Sequence, residues 1–150
     1  MLNPVSIRRS SRLIIVSPNN RLLLFRYVDE HSGAFWATVG GELQGAENYI
    51  DAAKRELYEE TGFHAPIGRM IRERDAVYAV AQSAPARWLE RYFVVHVVTE
   101  SLPCTANWTD EEMATITAYR WWTPDELNET EAMLKPVWIP DVFQDAINAG

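Results

Sequence analysis

Residues 41–63 read GELQGAENYIDAAKRELYEETGF, and the architecture of the chain is decided in this stretch. From Glu47 to Thr61 it holds neither glycine nor proline, and Ile50, Ala53 and Leu57 recur at helical spacing, which predicts an amphipathic helix over 47–61. Gly62 stands where a left-handed C-terminal cap belongs. At about 100° per residue, Glu56, Glu59 and Glu60 share one arc roughly 100° wide, next to the apolar stripe and therefore at the edge of the core.

Acidic side chains at i,i+3 and i,i+4 repel by about 0.2 to 0.5 kcal/mol per pair, and the C-terminal half of a helix disfavours anions. No Lys or Arg follows on the same arc within a turn, so compensation must come from elsewhere. A solvated acidic face is the ordinary meaning of clustered glutamates. The other reading is a hard divalent cation, magnesium or manganese, which takes oxygen ligands and can bridge to a phosphorylated substrate.

The residues around the glutamates decide between the two. Gly41, Glu47, Arg55, Glu56, Leu57, Glu59, Glu60 and Gly62 stand in the register of the Nudix hydrolase signature, which this segment closely resembles. Seven fixed identities at roughly 6% each coincide by chance in fewer than about one in a million chains of this length, so the acidic arc is read as functional. Val39, Ala46 and Phe63 depart from the usual pattern, at positions that shape the loops.

The resemblance implies an α/β (α+β) fold, an α/β/α sandwich around a central mixed β-sheet. It implies that Glu56, Glu59 and Glu60 hold Mg2+ or Mn2+, with the backbone carbonyl of Gly40 as a main-chain ligand; glycine there lets the backbone approach a cation closely. Arg55 would orient a motif glutamate, and Glu47 would support it. The implied reaction is hydrolysis of the diphosphate linkage of a nucleoside di- or triphosphate, or of a nucleoside diphosphate derivative, by water activated at the metal. Its general base is either Glu56 or a later acid from Asp110-Glu111-Glu112, of which Glu112 is preferred. That acidic run reads as a loop, where a solvated charge cluster is the plainer role.

Upstream, Ile7–Val16 and Leu22–Phe25 read as a hairpin around Pro18-Asn19-Asn20, residues 27–34 as a loop, and Phe35–Val39 as a strand ending in a turn at Gly40-Gly41. Downstream, 76–81 and 91–99 read as strands separated by a turn at 83–85, and Tyr119–Trp122 as a further strand. Thr123-Pro124-Asp125-Glu126 is a helix start, with a terminal helix after Pro140-Asp141. Arg26, Trp36 and Tyr78 fall near the motif and offer a phosphate contact and base stacking. Core packing is the ordinary role of such aromatics.

A chain of 150 residues without repeats or linkers is expected to form one domain over 1–150. With Cys104 as the single cysteine, an internal disulfide and a cysteine-rich zinc site are ruled out, and a reducing, cytoplasmic setting is expected. The apolar run Leu13–Val16 is too short for a signal peptide or a membrane helix. A net charge of -7 disfavours nucleic acid and anionic membrane as partners, while a nucleotide-like small molecule bound through cations is compatible with it, as is a homodimer. Two rival readings remain at this point. One is a Nudix-fold nucleotide-sensing module without catalysis, expected to have lost a motif glutamate; the other is a hydrolase of a non-nucleoside diphosphate.

Overall fold

The computed structural model describes residues 5–81 and 83–149. The ends of the domain expected over 1–150 lie outside the described residues, as does Gln82. The elements run β1 (Ile7–Val16), β2 (Leu22–Asp29), β3 (Gly33–Glu42), α1 (Tyr49–Thr61), β4 (Met70–Tyr78), β5 (Ala86–His96), α2 (Asp110–Thr115), β6 (Ile116–Trp122), α3 (Pro124–Glu129), β7 (Leu134–Lys135) and α4 (Ile139–Ala149).

Seven strands form one mixed sheet in the order β4-β5-β1-β2-β3-β7, with β6 paired to β2. β1 runs parallel to β5 along its whole length, and β7 runs parallel to β3. Period-2 alternation gives the central strands β1, β2 and β5 two buried faces over their apolar stretches. Leu13, Ile15, Leu23, Phe25, Val39, Phe93 and Val95 pack against Ala53 and Leu57 of α1. Ile14, Val16, Leu22, Leu24, Tyr92 and Val94 meet Ile139, Val142 and Phe143 of α4. This is the expected sandwich, with α1 on one side and α4 on the other.

Several local expectations are corrected. The 27–34 segment is not a loop: β2 runs on to Asp29 and β3 starts at Gly33. The turn between them is held by Asp29 Oδ1, which accepts the N–H groups of His31 (2.9 Å) and Ser32 (2.8 Å). β1 and β2 are joined by the expected turn, yet they pair only at Val16 and Leu22, because β3 takes the other flank of β1 over Ser10–Leu13. Gly40-Gly41 is accordingly strand rather than turn, paired with Arg12 and Ser11. The acidic run 110–112 is the first turn of α2, opened by a capping box between Thr109 and Glu112. The second capping box, Thr123 with Glu126, opens α3 at its expected place.

β4 is an edge strand on which charge alternates with the pleat. Arg74 reaches Glu90 on one face (3.1 Å), while Glu73 and Asp75 reach Arg91 (3.4 Å) and Arg87 (2.6 Å) on the other. Among the described residues no helix is long and apolar enough to cross a membrane.

Candidate active site

α1 begins at Tyr49, two residues later than the apolar periodicity suggested, because Asn48 is its N-cap: the side-chain oxygen accepts the Asp51 N–H (2.8 Å). Gly62 ends it in the left-handed conformation (φ 75°), donating its N–H to the Tyr58 carbonyl (2.8 Å). Packing Ala53 and Leu57 onto the sheet turns Glu56 and Glu60, one helical turn apart, toward the β3 end at Gly40-Gly41.

Both carboxylates are buried, Glu56 at 7% exposure and Glu60 at 3%. The Gly40 N–H donates to Glu60 Oε2 (2.9 Å), so in this structure it is the amide of Gly40 that touches the cluster. Glu112, presented by the first turn of α2, completes a group of three carboxylates whose facing oxygens all lie within 4.8 Å of one another. Glu59 lies outside this group, its side chain 40% exposed and in contact with Arg55.

Arg55 answers the electrostatic problem posed by the acidic arc. It precedes the arc instead of following it. Its guanidinium grips Glu47 with two N–H groups (2.7 and 3.0 Å) and donates to Glu56 (2.7 Å), to Glu59 (3.0 Å) and to the Glu42 carbonyl (2.9 Å). Hydrogen bonding to Arg55 holds the Glu47 carboxyl below its usual range. Glu56 is still pushed up, chiefly by burial, against the hydrogen bond and charge of Arg55.

Glu60 receives no such help. Burial first, then the charge of Glu56 and the hydrogen-bonded carboxyl of Glu112, raise it well above the usual carboxylate range, and the Gly40 amide offsets only part of this. A buried carboxylate this close to two others must share a proton or a cation. The donors are all carboxylate oxygens, the set that a hard divalent ion prefers and a soft one does not, so the residues present fit magnesium or manganese.

The two glycines before the helix leave room for this arrangement. A Cβ on Gly41 would sit 2.5 Å from Glu56 Oε1. Gly40 adopts φ 150°, and a Cβ there would strike the Ser11 carbonyl oxygen at 2.2 Å.

Arg26 and Trp36 are cross-strand partners on β2 and β3, both half-buried. Arg26 donates to Thr117 Oγ1 (3.0 Å), and Trp36 packs edge-on against Trp122 with ring centres 5.1 Å apart. Tyr78 stands apart from them at the end of β4, stacked on Trp88 at 5.6 Å beneath the Arg74 guanidinium.

Four side chains with long-range partners have no local signature. The Tyr27 phenol is pushed up by burial and by the nearby Glu60, and its ring stacks on Phe35 at 5.4 Å. Trp108 donates its indole N–H to the Glu60 carbonyl (2.8 Å). Half-buried Arg12 and buried Glu90 pair across the parallel β1–β5 seam (3.2 Å), joined by Ser10 (2.6 Å) and Arg74 (3.1 Å). A motif scan overlooks all of them because the contacts join distant segments.

Comparison with known proteins agrees with this geometry. Solved structures similar to the chain include a MutT protein of Methanosarcina mazei Go1, with a TM-score of 0.71 at 17% identity over 99% of this chain and 98% of that one. The dihydroneopterin triphosphate pyrophosphohydrolase of E. coli gives 0.66 at 19% identity, covering 93% and 95% of the two chains. The NUDIX domain of Shewanella oneidensis NrtR, crystallised with ADP ribose, gives 0.69 at 10% identity, covering 98% and 90%. At these identities the likeness is one of fold. A curated relative, an octanoyltransferase of Myxococcus xanthus, is 36% identical over 81 residues, 53% of this chain, and the chain spans 22% of that protein's length. The NUDIX domain model itself matches residues 7–142, which hold the whole sheet, α1 and the first turn of α4, and the chain therefore belongs to the Nudix family.

Proposed function

We propose that the chain is a Mg2+- or Mn2+-dependent pyrophosphohydrolase that cleaves the diphosphate linkage of a nucleoside di- or triphosphate or of a nucleoside diphosphate derivative. The observation that supports this best is the meeting of Glu56, Glu60 and Glu112 within 4.8 Å at the Gly40-Gly41 strand end, two of them buried.

In this reading Glu56, Glu60 and Glu112 hold the ion, with Glu59 at the exposed rim for a further ion or its water shell. The ion supplies positive charge for the diphosphate and lowers the pKa of water. Arg55 keeps Glu56 and Glu47 in place and touches no substrate. A carboxylate of the cluster, Glu56 or Glu112, takes the proton as the water oxygen bonds to phosphorus. The bond from that phosphorus to the bridging oxygen breaks, and the leaving phosphate carries the electron pair away. Arg26 is assigned to the phosphates, with Trp36 and Tyr78 as aromatic surfaces for a base. All motif glutamates are present, which favours turnover over sensing alone.

The test is phosphate and pyrophosphate release across nucleoside triphosphates, nucleotide sugars and dinucleotides with Mg2+ or Mn2+, with Glu60→Gln run in parallel. Metal-dependent cleavage that falls by at least about 100-fold in the variant is expected. Full activity of Glu60→Gln, or silence of the wild type across the panel, refutes the proposal.

A further inference from the structure

We infer that Trp108 is a positioning residue that ties the carboxylate of α2 to the carboxylates of α1. The inference rests on the cation site proposed above. It starts from the last turn of α1, whose orphan carbonyls need donors. Gly62 serves the Tyr58 carbonyl, but those of Glu60 and Thr61 are served from the segment after β5. The Cys104 N–H reaches Thr61 (2.8 Å), and the Trp108 indole N–H reaches Glu60 (2.8 Å).

The second bond links the parts of the site directly. Its acceptor belongs to the residue whose side chain lies at the bottom of the cluster, and its donor lies four positions before Glu112. Thr109, next in sequence, locks Glu112 through the capping box. Its N–H donates to Glu112 Oε1 (2.9 Å), and the Glu112 N–H returns to Thr109 Oγ1 (3.1 Å). Between the indole and the Glu112 carboxylate the chain therefore has little freedom. The ring is itself braced, tilted against Phe25 at 5.5 Å in the α1-side core.

Residues 97–109 contain no helix or strand, so nothing regular in their backbone fixes where α2 begins. α2 has only six residues, too short to hold its own position. On its far side α2 runs straight into β6, which β2 holds from Ile116 on; on its near side the indole bond, with the Cys104–Thr61 bond behind it, sets the distance between Glu112 and the pair on α1.

The test reads metal binding apart from catalysis, with free Mn2+ measured by electron paramagnetic resonance on the full chain. Wild type, Trp108→Phe, Glu112→Gln and the double variant are compared. Trp108→Phe keeps an aromatic ring against Phe25 and removes the N–H; Mn2+ affinity is expected to fall on the order of 10-fold. In the Glu112→Gln background the same change is expected to cost less than about 2-fold, because the group it positions is already lost. Equal losses in both backgrounds would mark Trp108 as merely structural and overturn the inference, as would unchanged affinity in Trp108→Phe. Should Trp108→Phe melt before binding can be read, Trp108→Leu, which also removes the N–H and keeps an apolar side chain against Phe25, is held to the same comparison. Absence of Mn2+ binding by the wild type would instead bring down the cation site, and the inference with it.

Discussion

A methyl group on Gly40 would collide with the Ser11 carbonyl oxygen at 2.2 Å in a backbone conformation that side chains rarely adopt, whereas one on Gly41 would first meet the Glu56 carboxylate, at 2.5 Å. The neighbours thus separate stability from activity. Gly40→Ala is expected to lower stability by at least about 3 kcal/mol, since backbone strain and a backbone clash add, and thermal melting reads this. Gly41→Ala is expected to melt near the wild type while pushing Glu56 off its Arg55 contact, with metal-dependent turnover falling on the order of 10-fold or more. If Gly41→Ala keeps full turnover, Glu56 does not need its present orientation. Residue register in 41–63 was legible in the sequence because helical geometry ties spacing to direction. The contact of Trp108 with the Glu60 carbonyl and the nearness of Tyr27 to Glu60 were not, since each joins residues at least 33 positions apart.

Elements defined by local chemistry are the ones the sequence announces. Gly62 ends α1, and Thr123 with Glu126 opens α3, each through hydrogen bonds among residues within a few positions, while the equally local cap Asn48 was hidden inside the glycine- and proline-free stretch read as helix. Strand pairing has no such local mark. The parallel β1–β5 seam joins residues about 80 apart, and its polar centre is the Arg12–Glu90 pair. Burial pushes the Glu90 carboxyl up, but the charge of Arg12, the hydrogen bonds of Ser10 and Tyr78 and the charge of Arg74 more than reverse this and hold it below its usual 4.5. A carboxyl depressed on folding contributes stability above its unfolded pKa, and the contribution is lost as pH falls through the folded value. Glu90→Gln is therefore expected to cost about 3 kcal/mol near neutral pH, where it leaves Arg12 without its anion. The difference from wild type should shrink below about pH 4. A difference that stays constant from pH 7 to pH 3 in denaturant melts would show that the pair contributes no charge-dependent stability.

For the molecule as a whole, two apolar faces on one sheet make the sandwich; the apolar run Leu13–Val16 was readable as strand, and in the fold its odd residues face α1 and its even ones α4. The order of the strands was not readable, because alternation says which way a side chain points and is silent about which strand lies alongside. The charged pleat of β4 has a consequence for how copies of the chain meet. When two identical strands join antiparallel about a two-fold axis, positions of equal parity stand opposite each other. In the register centred on Glu73, Arg72 would face Arg74 and Glu73 its own copy, and centred on Arg74, Glu73 would face Asp75 and Arg74 its own copy, so the edge strand meets like charge in its own image. Replacing Arg72, Glu73 and Asp75 together by threonine is expected to raise the apparent mass in light scattering as concentration increases, while the wild type stays unchanged through this edge. Equal behaviour of the two would mean that something other than charge keeps β4 unpaired. In a crowded solution, where exposed strands recruit strands, this edge would work as a lock that fits no copy of its own key.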